Sequence, residues 1–131
     1  MNRIHGWEKA LQLFLTEYRN RPFEWAVNDC ATFAGEWVKR ATGQVLFEPD
    51  YTDAMGAARR MGGQTEFAAQ VTAILGEPAA NTAMAGRGDV VLVGLDGRSC
   101  LGVVEGMYVA APGEQGMTLI PRTAILTLWS I

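Results

Sequence analysis

The stretch Asn28-Asp29-Cys30-Ala31-Thr32-Phe33-Ala34-Gly35-Glu36-Trp37-Val38-Lys39-Arg40-Ala41-Thr42-Gly43 carries the clearest helical pattern in the chain. Cys30, Phe33, Ala34, Trp37, Val38 and Ala41 recur at helical spacing and share one face. The short polar side chains of Asn28 and Asp29 are suited to accept hydrogen bonds from the free amides of a new helix, which predicts a start at about Cys30. Gly43 follows as the natural left-handed terminator. A cysteine therefore opens a helix whose apolar face turns toward a core.

On the N-terminal side, Trp7, Ala10, Leu11, Phe14, Leu15 and Tyr18 recur at helical spacing among Glu8, Lys9, Gln12 and Glu17, and predict an amphipathic helix over roughly residues 5–19. Pro22 pushes Arg21 out of the helical region and ends it. On the C-terminal side, residues 44–51 read as irregular around Pro49. Two shorter helices follow, Thr52 to Met61 and about Thr65 to Leu75, divided by Gly62-Gly63 and closed by Gly76. Ala79 to Gly88 has no strong period and reads as a connection. From Asp89 the pattern changes to short apolar runs bounded by Gly, Pro or Asp-Gly: Val90–Val93, Cys100–Val104, Tyr108–Ala111, Met117–Ile120 and Ile125–Trp129. Connections this short favour antiparallel neighbours, and helices followed by a run of strands predict an α+β fold with a small antiparallel sheet of about five strands.

Length and composition agree with this reading. A chain of 131 residues with 49% hydrophobic and 19% charged residues is expected to fold as a single domain over residues 1–131. The net charge of -3 gives no positive field to attract a polyanion, so no nucleic-acid partner is expected. Glu8, Lys9, Glu17 and Arg19 interrupt the first apolar segment, which predicts neither a signal peptide nor a membrane span, and points to the cytosol. Two cysteines and one histidine fall short of a disulfide framework and of a four-ligand zinc site, so neither metal nor other cofactor is expected.

Cys30 has two readings. Exposed amides at a helix start stabilise a thiolate, so the position suits a nucleophile. Cysteine is equally at home as a small buried hydrophobe, and Cys30 shares its face with Phe33, Ala34 and Trp37.

The order of motifs then becomes informative. An aromatic-rich segment precedes Asn28-Asp29-Cys30 at a helix start; Arg87-Gly88-Asp89-Val90-Val91-Leu92 and Leu101-Gly102-Val103-Val104-Glu105-Gly106-Met107-Tyr108-Val109-Ala110-Ala111 follow. Over about residues 23–112 this order resembles the NlpC-type cell-wall peptidases, which have a papain-like fold. It is most similar to small proteins of bacteriophage and prophage tail gene clusters that share these motifs and a Trp near the C-terminus, here Trp129. The resemblance implies other tail proteins as partners, host cytoplasm during assembly and the virion tail as locations, and cell-wall peptide as substrate if the site is active.

Laid on the family pattern, Cys30 takes the nucleophile position, Cys100 the position of the catalytic His, and Ala110 falls near the third polar residue. A thiol nucleophile of this class needs a base and then an acid for the leaving amine, and losing one costs on the order of a hundredfold to ten-thousandfold in rate. The resemblance thus implies a degenerate peptidase fold serving a structural or assembly role, its old site partly filled by Leu101 and Cys100. The alternative is a cysteine hydrolase with a non-standard base; His5, the only histidine, is the candidate, and a solvated or capping role is its other reading. A third is a small immunity or inhibitor-like binding protein. Asp29 offers a base in principle but is explained as a cap. If Cys100 faces Cys30, a disulfide requires their Cα atoms within about 7 Å, and two reduced buried thiols is the reading for a reducing cytosol. Asp89 reads as a structural turn residue. Trp7, Trp25, Trp37 and Trp129 read as core or interface aromatics, Trp25 also as a cleft wall, and Phe23, Trp25 or Trp129 as exposed anchors for a protein partner.

Overall fold

Asp29 and Gly43 bracket the helix that organises the fold. In the computed structural model, which describes residues 2–46 and 48–131, this helix is α2, Cys30–Thr42. Asp29 closes a capping box with Thr32, and Gly43 ends the helix at φ 81°. Before it, α1 (Trp7–Tyr18) buries Leu11, Phe14 and Tyr18, the i, i+3, i+7 positions of its apolar stripe. After it come α3 (Ala54–Met61), capped by Asp53, and α4 (Gln64–Leu75), where the Glu66 carboxylate accepts from the Gly63 amide. Gly62-Gly63 divides these two helices and Gly76 ends the second, as their sequence signals predict. Met1, and Phe47 within the stretch read as irregular, lie outside the described residues.

The second half is a sheet of five strands: β1 (Val90–Leu95), β2 (Arg98–Val104), β3 (Tyr108–Gly113), β4 (Gly116–Pro121) and β5 (Ile125–Trp129). Their spatial order is β4-β3-β2-β1-β5, with every neighbouring pair antiparallel. The first four strands form a meander and β5 returns to pair with β1. The chain is thus an α+β fold of four helices and a five-stranded antiparallel sheet. The connection before β1 carries one short 3-10 turn, Thr82–Met84.

The run Val90–Val93 is apolar without alternation because β1 is buried on both faces. Val90 and Leu92 join the helical core with Phe14, Phe33, Trp37, Val71 and Trp129. Val91 and Val93 join a second cluster with Val104, Val109, Ile120 and Leu128. Trp129 is therefore 1% exposed, a core aromatic, which corrects its alternative reading as a surface anchor. Its indole N–H donates to Thr72 Oγ1 at 3.0 Å, so it fastens β5 to α4 instead.

Further polar contacts join the layers. The Trp37 indole N–H donates to the Gly88 carbonyl at 2.8 Å, tying α2 to the turn that enters β1. Beside it, the buried Asp89 carboxylate takes an ion pair from Arg3 at 2.8 Å and hydrogen bonds from the amides of Gly86 and Ile131. Asp89 is a structural turn residue whose carboxylate also gathers distant segments.

The outer strands are partly covered. The Met117 amide on β4 donates to the Arg19 carbonyl at 2.9 Å, so it points away from β3. By the two-residue period of a strand, Leu119 and position 121 point the same way, and position 121 is proline. On the opposite edge the Leu128 carbonyl accepts from Ala79 N–H at 2.8 Å.

Trp37→Phe keeps most of the buried ring but leaves the Gly88 carbonyl without its indole donor. The expected loss is about 1–3 kcal/mol, read as a lower midpoint of chemical unfolding with an unchanged slope.

Candidate functional site

The site is built from the loop before α2 and the start of β2. Asp29 is completely buried, and four donors converge on its carboxylate: Thr32 N–H at 2.9 Å and Thr32 Oγ1 at 3.2 Å on Oδ1, Ala26 N–H at 2.9 Å and the Tyr51 hydroxyl at 2.7 Å on Oδ2. The capping role read from the sequence is thus present, and both oxygens are occupied by it. The same carboxylate holds Ala26 at φ 65°, an uncommon conformation for a residue with a Cβ. Asn28 fixes the other side of this loop, its Nδ2 donating to the carbonyls of Arg21 and Pro22 at 3.2 and 3.0 Å.

Tyr51 was not legible as part of the site. It lies in the stretch read as irregular, and no local pattern marks a tyrosine that reaches back to a helix cap. Burial, followed by hydrogen bonding to Asp29 and the charge of that carboxylate, pushes the Tyr51 phenol far above its ordinary value.

This loop sets Cys30 at the first position of α2, facing β2. The direction of the β2 backbone explains what it meets. Val104 N–H donates to the Asp89 carbonyl, and Val104 C=O accepts from Gly88 N–H, so even-numbered residues of β2 pair toward β1. Odd-numbered residues face β3, but β3 is in register with β2 only at Val103↔Ala110 and Val104↔Val109. The Leu101 amide lies beyond that short ladder and faces Cys30 Sγ instead. At the adjacent position on β2, the Cys100 thiol lies beside the Cys30 thiol. Cys30 packs against the helical core and Cys100 against the second cluster. Both cysteines are free and only partly buried.

The electrostatics of the two thiols differ. Cys30 is pushed well above its ordinary value, first by its hydrogen bond to Cys100, then by burial and the nearby Asp29 carboxylate; the Leu101 amide opposes this. Cys100 is lowered, first by the hydrogen bond from Cys30 and also by the Arg98 guanidinium, against the effect of burial. At this helix start the pull of free amides on a thiolate is outweighed by what surrounds the sulfur, and the pair keeps a proton on Cys30.

The remaining candidates lie elsewhere or carry no reactive group. His5 is exposed; the amide of its neighbour Ile4 donates to the Ala41 carbonyl, about 16 Å of helix from Cys30. The structure does not bring His5 to the thiols. Ala110 is buried on β3 opposite Val103 and presents a methyl group. Trp25 packs edge-on against Phe23, with ring centroids 4.7 Å apart, and remains 37% exposed. Among the described residues, no three His, Cys, Asp or Glu side chains come together as a metal site. Two surface clefts, of about 480 and 270 Å³, are lined by Val45, Arg60 and Ile74 and by Leu15, Glu105 and Leu119 among others; neither is lined by Cys30 or Cys100.

The fold and site together define an α+β domain with a thiol pair between a capped helix start and the second strand of its sheet. A family model described as a domain of unknown function, DUF6950, matches residues 2–131, and the chain belongs to that family. No curated protein and no solved structure matches it.

Tyr51→Phe removes one donor from the buried Asp29 carboxylate and is expected to cost about 1.5–3 kcal/mol in denaturant unfolding. The raised Tyr51 phenol also sets a pH dependence. Unfolding lets it ionise at its ordinary value, so the stability that it contributes is complete below about pH 10 and is lost as the pH rises above that. Tyr51→Phe should flatten part of the alkaline fall in stability, measured as unfolding midpoints between pH 8 and 11.

Proposed function

We propose that the chain is a tail-associated structural or assembly protein of a bacteriophage or prophage, built on a degenerate papain-like, NlpC-type peptidase fold. The observation that carries the reading is the partner of Cys30. The nucleophile position faces a second thiol on β2, and the neighbouring strand offers Ala110 where a polar residue would orient an imidazole.

A peptidase of this class must take a proton from its thiol and return one to the leaving amine. The surroundings of Cys30, Cys100 among them, push its thiol up and so favour its protonated form, and the Asp29 oxygens are already engaged by four donors. The order of elements supports the same ancestry: a helix opened by Cys30, then an antiparallel sheet whose second strand holds the partner position. The tail assignment rests on the likeness of the Asn28-Asp29-Cys30 and Arg87-Gly88-Asp89 motifs, and of Trp129, to small proteins of tail gene clusters. Such a role needs no cofactor and acts through protein contacts, for which the exposed Trp25 and the half-buried Phe23 are candidate anchors.

Two measurements test this. With reductant present, purified wall peptides should release no new amino groups above the Cys30→Ala background; Cys30-dependent cleavage would overturn the reading in favour of a cysteine hydrolase. In a phage or prophage that carries the gene, deletion should yield particles with defective tails, and Cys30→Ala should restore them as well as wild type does.

A further inference from the structure

The thiol pair has an asymmetry that the degenerate-peptidase reading leaves unused. Cys100 is half-buried near the start of β2, two residues after the exposed Arg98, so the two side chains share a strand face. Cys30 lies against the Asp29 carboxylate and receives the Leu101 amide. The positive neighbour thus belongs to Cys100 and the negative one to Cys30. The two thiols lie beside each other, and both residues are partly accessible from solvent.

We propose that Cys100 and Cys30 form a thiol–disulfide exchange site for low-molecular-weight disulfides of the glutathione class, with Cys100 as the attacking thiol and Cys30 as the resolving one. The proposal rests on the reading of this site as a thiol pair without a base, and is independent of the tail assignment.

Cys100, having released its proton to solvent, attacks one sulfur of the small disulfide; a Cys100 mixed disulfide forms and one small thiolate leaves. That thiolate takes the Cys30 proton. The resulting Cys30 thiolate attacks Cys100 Sγ, the intramolecular Cys30–Cys100 bond forms, and the second small thiolate leaves and is protonated by solvent. The protein loses two hydrogens and the small disulfide is reduced to two thiols. The new bond would tether the start of α2 to β2 where β3 no longer pairs with it, and would close a long chain loop.

The test uses the full chain, fully reduced, incubated without denaturant in excess oxidised glutathione and followed by intact mass and thiol counting. Wild type is expected to lose two hydrogens and both titratable thiols, with a rise in thermal midpoint that dithiothreitol reverses. Cys30→Ser should stop as a single glutathione adduct on Cys100. Cys100→Ser should react at least about tenfold more slowly. Two free thiols persisting in native wild type, and oxidising only after unfolding, would overturn the site. Glutathione adding to Cys30 in Cys100→Ser as fast as to Cys100 in Cys30→Ser would overturn the assigned order. The peptide-cleavage assay distinguishes failure of the underlying reading: Cys30-dependent hydrolysis under reductant would mean that a base is present, whatever the exchange result.

Discussion

A carboxylate buried in a protein is tolerable only if its oxygens are solvated by protein groups, and Asp29 meets that condition with four hydrogen bonds. Everything at the site follows from where those donors come from. Thr32 fixes the first turn of α2, Ala26 fixes the preceding loop in a left-handed conformation, and Tyr51 brings in the chain beyond the helix. With the cap anchored on three sides, the first residue of α2 has little freedom, and Cys30 is held against β2. Disturbing the cap would move the thiol before it disturbed the core.

That placement also shows why a motif at a helix start does not by itself set chemistry. The free amides of α2 favour a thiolate, but a buried anion one residue away and a neighbouring thiol act the other way. On the proposed peptidase ancestry, a second thiol in place of an imidazole removes a group that binds a proton near neutral pH and supplies one that is a weak hydrogen-bond partner. That proposal keeps the geometry of a nucleophile facing a strand and gives up the acid–base cycle.

Much of the fold was legible because it is written in local patterns. Asp29, Cys30 and Gly43 mark both ends of α2, and Gly62-Gly63 and Gly76 mark the later helices. The strands of the second half fall where their apolar runs fall, with bounds that differ by a residue or two as pairing extends Arg98–Val104 and Tyr108–Gly113 into polar flanks. What escaped is long-range. Whether Trp129 is a core aromatic or a surface anchor is decided only by β5, which returns beside β1 and turns it into the helical core. Tyr51 and Arg3 reach buried carboxylates 22 and 86 residues away, and no spacing rule connects them. The approach of Cys100 to Cys30 was reachable only through motif order, because it depends on a ladder that ends at Val103.

The covered edges of the sheet bear on how copies of this chain can be arranged. On β4 the Met117 amide is already engaged and position 121 has none to offer, so Leu119 alone points a backbone donor outward. On β5 the Leu128 carbonyl is taken by Ala79, and the register shifts between Leu92 and Val93. A solitary donor is a poor template for strand addition. Strand addition is therefore disfavoured at the β4 end of the sheet. Contacts between copies on that side fall to side chains, which lets their geometry be retuned one surface residue at a time without refolding the sheet.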